Sequence, residues 1–186
     1  MLFFASFTAD AIVFEADNGP VLEVYVNIVK PPECTLTSAK NQTINFAPLS
    51  NIDIVLGNDK TKGTNEAVFT FGQCRNVNNV DIKFVPPSAG AGIDETGNYI
   101  KNATASGSGT MAEGVGIKLF DITNNATYNN SNEIKLGPGD GKGLAVTPVN
   151  DTATVKLGAK VIPTDNNYRI TPGEIKTAVG LEITYK

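Results

Sequence analysis

The chain has 186 residues and a formal net charge of −4, enough for one domain with a real core and too short for a large multidomain enzyme. It contains no His and no Trp, two Cys, two Met and only 18% charged residues, which excludes a Ser–His–Asp triad and a histidine-ligated metal. The acidic balance argues against nucleic acid or an anionic membrane as partner, because both are bound through excess Lys and Arg.

Asn, Thr and Gly, with 20, 19 and 18 copies, make a composition of strands and turns. Residues 1–11 open with the apolar run Leu2-Phe3-Phe4-Ala5-Ser6-Phe7 and close with Ala9 and Ala11, the A-x-A pattern that ends a secretory signal. The basic n-region is missing. The segment therefore reads as the remnant of a truncated leader, the alternative being an apolar mature N-terminus. No apolar run reaches the roughly 18 residues that span a bilayer.

From residue 12 onward, apolar residues recur at every second position. Ile12, Phe14 and Ala16 share a parity with Leu22, Val24, Val26 and Ile28, although Asn18-Gly19-Pro20 breaks the run with a turn signal. Lys30-Pro31-Pro32-Glu33 then stops pairing, because two prolines remove two backbone donors. Further strands are predicted at residues 34–37, 42–46, 67–71, 80–85, 115–122, 152–162 and 178–185. Loops rich in Gly, Ser and Asn fall at 88–97, 106–109 and 124–132. No long segment has helical spacing and no internal repeat is present. Short strands separated by such turns describe an all-β, immunoglobulin-like sandwich.

Cys34 and Cys74 are too far apart for a CxxC metal or redox site. An even cysteine count in a β-rich chain with few charges reads as one disulfide formed in an oxidising compartment. The alternative is a pair of buried free thiols.

Candidate chemistry is sparse. Residues 137–143, Gly-Pro-Gly-Asp-Gly-Lys-Gly, fail the phosphate-loop pattern, since Leu136 stands where its first Gly belongs and Gly143 follows Lys142. The stretch 58–69 has an EF-hand-like Gly63, but Lys60, Lys62 and Phe69 occupy ligand positions. Asp94 with Glu95, and Asp151 with Asp165, are carboxylate pairs with no evident cleft. Sequons at Asn41, Asn102, Asn125, Asn129 and Asn150 are expected in any chain this rich in Asn and Thr. No metal, no cofactor and no catalytic residue is assigned.

Several motifs, in order, resemble one family. Val29-Lys30-Pro31-Pro32-Glu33-Cys34-Thr35-Leu36 looks like a first cysteine strand, and Gln42-Thr43-Ile44-Asn45-Phe46 like the strand that follows it. Phe69-x-Phe71-x-x-Cys74 looks like the second cysteine strand, and 115–121, Val-Gly-Ile-Lys-Leu-Phe-Asp, like a core strand. The chain ends with Tyr185 penultimate and Gly173 fourteenth from the end. From about residue 12 to 186 it resembles the pilin subunits of chaperone–usher fimbriae, the type 1 and P-pilus superfamily.

The resemblance implies an incomplete immunoglobulin-like β-sandwich that lacks its last strand and is completed by a donor strand from a neighbouring subunit. It divides the chain into the leader remnant at 1–11, a donor extension at 12–28 and a pilin domain at 29–186. The donor residues would be Ile12, Phe14, Leu22, Val24, Val26 and Ile28. Four such side chains, at about 1.5–3 kcal/mol each, would contribute on the order of 6–12 kcal/mol by burial. The acceptor strand would use Val179, Leu181, Ile183 and Tyr185, with Gly173 as a family mark. Implied partners are a periplasmic pilus chaperone, an outer-membrane usher and other fimbrial subunits. The implied place is an extracellular fimbrium on the bacterial surface, meeting a host glycan only indirectly, through the fimbria. A different class of function, a carbohydrate-binding adhesin sandwich, fits less well, because adhesins of this family carry an additional lectin domain and sugar sites usually use Trp. A secreted enzyme working with carboxylates alone is the remaining alternative.

Overall fold

Inward and outward positions alternate along the strands as period-two patterning requires. The computed structural model describes residues 32–57, 66–86, 92–102, 110–124, 128–137, 139, 141–164, 167 and 169–186. The expected leader remnant, the six donor residues and the 58–65 stretch lie outside the described residues.

One sheet has five strands in the order β1-β2-β7-β5-β4 and the other has three in the order β6-β3-β8. The first is built from β1 (Glu33–Leu36), β2 (Glu66–Arg75), β4 (Ile100–Lys101), β5 (Val115–Asp121) and β7 (Ala153–Pro163). The second contains β3 (Val80–Val85), β6 (Leu144–Val146) and β8 (Gly180–Tyr185). Every pairing between named strands is antiparallel.

A single core cluster draws on both sheets. β7, the middle strand of its sheet, contributes Ala153, Val155, Leu157, Ala159 and Val161, and β3 contributes Val80, Ile82 and Phe84. One spot on the outer face of the large sheet is also covered. Tyr128 lies over Gly158, where a Cβ would overlap its ring, and stacks at 5.2 Å, tilted, against Phe120. That cover buries Phe120, although it points away from the core.

The disulfide joins Cys34 to Cys74 across β1 and β2. In β2 the buried positions run Ala67, Phe69, Phe71 and then switch parity to Cys74. The switch is a β-bulge. Gln73 takes a left-handed φ of 54°, and the register with β1 slips by one residue, from Thr35↔Gly72 to Glu33↔Arg75. The extra residue rotates Cys74 from the outer to the inner face, where Cys34 waits.

Predicted strands at 34–37, 67–71, 80–85, 115–122, 152–162 and 178–185 coincide with β1, β2, β3, β5, β7 and β8 to within a few residues. The predicted strand at 42–46 is corrected. Ile44 and Phe46 are half-buried against the core as the alternation requires, yet the segment pairs with no named strand. Three short elements were not predicted: β4, β6 and a six-residue helix α1 (Asn51–Leu56). The helix rests on a capping box, in which the Ser50 hydroxyl accepts from Asp53 N–H while the Asp53 carboxylate accepts from Ser50 N–H at 2.9 Å. Gly57, left-handed at φ 68°, ends it.

Candidate functional site

An apolar groove of about 640 Å³ lies between the residues after β1 and the last strand. Its floor is the inner face of the large sheet: Phe69 of β2, Leu119 of β5 and Leu157 of β7. One wall is the unpaired stretch with Ile44 and Phe46, and the other is Val179, Leu181 and Ile183.

β8 pairs with β3 along one side, with Ile82 opposite Ile183 and Phe84 opposite Leu181. It is the terminal strand of its sheet, and among the described residues no strand pairs with its other side. Leu181, Ile183 and Tyr185 face the core and remain half-buried, while Glu182 and Thr184 are exposed. An apolar strand edge left without a partner templates the addition of another strand. The C-terminal end is pinned. Asn78 and Asn79 N–H donate to the Lys186 carbonyl at 2.6 and 3.0 Å, Lys186 N–H donates to the Asn79 carbonyl, and Lys186 forms an ion pair with Asp81.

The expected acceptor residues fall unequally around this groove. Val179, Leu181 and Ile183 line it. Tyr185 continues the same face beyond the lining, opposite Val80, and burial raises its phenol pKa. Gly173 stands apart, before β8, where a Cβ would collide with the backbone of Met111 and Ala112; its role is close backbone packing beside the Met111↔Glu174 bridge. The wall residues Ile44 and Phe46 and the floor were not singled out from sequence as site residues, although the alternation of Ile44 and Phe46 marks an inward face.

Of the candidate carboxylates, Asp94 is structural and Asp165 lies outside the described residues. Asp94 is buried and accepts from Asn98 N–H at 2.6 Å, Tyr99 N–H at 2.8 Å, Thr96 N–H at 3.0 Å and the Thr96 hydroxyl. Burial acts to raise its pKa, but the hydrogen bonds from Thr96, Tyr99 and Asn98 outweigh it and hold the carboxyl below its usual value. Glu133 is likewise raised by burial and lowered more strongly by Lys118 and Lys135, each 2.9 Å away. Lys135 also donates to Asn98 at 2.8 Å, joining the two carboxylates through one polar network.

A group whose folded pKa is depressed stabilises the fold fully above its unfolded pKa, and that contribution is lost as pH falls through the folded value. Asp94→Asn is therefore expected to destabilise the domain by about 1–3 kcal/mol at neutral pH, because an amide offers one acceptor where the carboxylate offers two. The gap to the unsubstituted chain should shrink below about pH 4. Thermal melts of both chains across pH 2–7 check this, and a gap independent of pH would contradict it.

At the 137–143 loop, Gly143 N–H donates to the Lys135 carbonyl at 2.7 Å and Lys142 Nζ to the Thr96 carbonyl at 3.2 Å. Gly143 is left-handed at φ 85°, and a Cβ there would strike the Ile82 carbonyl. Among the described residues no group of three or more candidate ligands is gathered for a metal, and no helix is long and apolar enough to cross a membrane.

A family model described as "Fimbrial protein" matches residues 22–186. No curated protein matches. Among solved structures, the crystal structure of the P pilus rod subunit PapA is similar at a TM-score of 0.54 and 14% identity, over 82% of this chain and 99% of that one. A chaperone–usher pilus structure, described as revealing the molecular basis of rod uncoiling, is similar at a TM-score of 0.56 and 13% identity, over 92% and 99%. At these identities the likeness is one of fold.

Proposed function

The chain belongs to the fimbrial protein family, and from that premise we propose that it is a structural or minor subunit of an adhesive chaperone–usher fimbria, polymerising by donor-strand exchange. The observation that carries this reading is the apolar groove beside the edge of β8 that pairs with no strand among the described residues. A fold that leaves half-buried Leu181 and Ile183 beside an unpaired backbone edge is completed by one more strand, which brings ladder hydrogen bonds and alternating side chains together. Pilin complementation is itself a standard instance of recognition by strand addition.

The donor is the 12–28 segment of the next subunit, with Leu22, Val24, Val26 and Ile28 as its apolar face and Ile12 and Phe14 as its distal part. Before assembly a periplasmic chaperone supplies the strand along β8, and exchange takes place at the outer-membrane usher. The pilin domain is then 29–186. The finished polymer stands on the cell surface, and no catalytic group is needed for any of these steps.

A domain of residues 29–186 mixed with a synthetic 12–28 peptide tests the reading. At a hundredfold excess over Kd the peptide is expected to add about 2.7 kcal/mol, raising the melting temperature by about 5–10 °C. A truncated domain that is already a stable monomer, with a melting temperature unmoved by the peptide, would overturn it.

A further inference from the structure

Among the described residues, four large apolar side chains are exposed, and they stand at opposite ends of the sandwich. Ile52, Val55 and Leu56, exposed by 69, 40 and 67%, share one face of α1 at i, i+3, i+4 spacing. Their end is marked by Asn51, which donates to the Ile170 carbonyl, and by the Val115↔Pro163 pair that opens β5 and closes β7. Val149, 69% exposed, lies in the turn before β7. That turn sits at the disulfide end, where the Asp151 carbonyl accepts from Cys74 N–H at 3.0 Å and Thr147 donates to Asn79.

Resting on the strand-addition reading above, we infer that these patches are the two halves of a second contact between successive subunits. The α1 face of the accepting subunit docks against the Val149 end of the copy that donates the strand. The occupant follows from direction and length. All pairs between named strands are antiparallel, and antiparallel addition is also the slightly more stable mode. A strand laid antiparallel to β8 ends beside Val179 and Phe46, the end of the groove from which the chain runs directly into α1.

Residues 29–32 alone separate Ile28 from the start of β1 at Glu33, a reach of about 17–18 Å when fully extended. Two of them are prolines, which stiffen the link. The donating copy is thereby held with its β1 entry, the disulfide end that carries Val149, close to the acceptor's α1. Unlike patches at opposite poles make a head-to-tail contact, which propagates as an open polymer and does not close into a dimer. Three side chains against one fall far below the roughly 800 Å² per partner of a stable interface. The contact is therefore silent between free subunits and acts only once the strand raises the effective concentration. Its effect is to restrict bending at each joint.

Fibres assembled from the full chain carrying Leu56→Cys together with Val149→Cys test the contact, since both native cysteines are tied in their own disulfide. Oxidation is expected to yield a covalent ladder of multimers on denaturing, non-reducing gels, with none from either single variant. Fibres of Ile52→Asp with Leu56→Asp should show at least a twofold wider distribution of joint angles by electron microscopy, while the 12–28 peptide binds the domain within twofold of its unsubstituted affinity. No ladder and unchanged joint angles, with peptide binding intact, would overturn the second contact and leave strand addition standing. An unsubstituted chain that neither polymerises nor binds the peptide would overturn both.

Discussion

If residues 12–28 are the donor strand, Ile183→Asp is expected to abolish their binding and co-purification of the subunit with a periplasmic chaperone. Ile183 lies in the groove wall, paired across the sheet with Ile82, which is 1% exposed. In the unfilled domain the side chain is only half-buried, so a carboxylate there can still reach water and the domain still folds. Filling the groove removes that water. Burying an unpaired carboxylate beside Leu181 and Phe84 costs several kcal/mol, so a loss of at least about 3 kcal/mol, or more than about 100-fold in affinity, is expected. Thr184→Asp supplies the control. It adds the same charge to the same strand one residue away, on the exposed face, and should alter affinity by less than about threefold. Titration calorimetry with the 12–28 peptide reads both. Equal affinities for the two variants would mean that the inward face of β8 does not meet the donor. Tyr185→Asp, beyond the groove lining, should be the milder of the two inward substitutions.

Legibility in the sequence followed the physics of each feature. Period-two runs such as Ala67, Phe69, Phe71 and Val80, Ile82, Phe84 reveal strands because burial on one face imposes the pattern directly. The same reasoning located an inward face at Ile44 and Phe46 but wrongly supplied a partner strand, because alternation reports burial and not ladder pairing. The Gln73 bulge was hidden, since a left-handed φ at a non-glycine residue is set by the register on both sides and not by local propensity. The helix α1 was missed for its length, although Ser50, Asp53 and Gly57 carry its start and stop signals. At the groove, the inward residues of β8 were readable, whereas the floor needed three strands to be brought together. That β8 has no second neighbour among the described residues is a matter of topology, and no residue type in the chain encodes it.

Removing the disulfide with Cys34→Ala and Cys74→Ala is expected to cost stability and groove binding together. β1 is four residues long and, among the described residues, stands at the end of its sheet and pairs with β2 alone, across a bulge. Such a strand holds poorly by hydrogen bonds alone. Releasing a loop of this length from the unfolded ensemble costs about 3–4 kcal/mol in the chain-entropy model, equivalent to a fall of roughly 6–16 °C in melting temperature for a domain of this size. The second effect follows from connectivity. β1 leads straight into the stretch whose Ile44 and Phe46 wall the groove, and that stretch has no strand partner of its own, so the covalent tie at Cys34 also restrains the wall. The reduced variant should therefore bind the 12–28 peptide about tenfold more weakly, measured well below its own melting temperature, with the extra cost appearing as ordering entropy. A variant with the expected loss of stability but unchanged peptide affinity would show that the wall is held by its packing against the floor, and that the disulfide serves the fold alone.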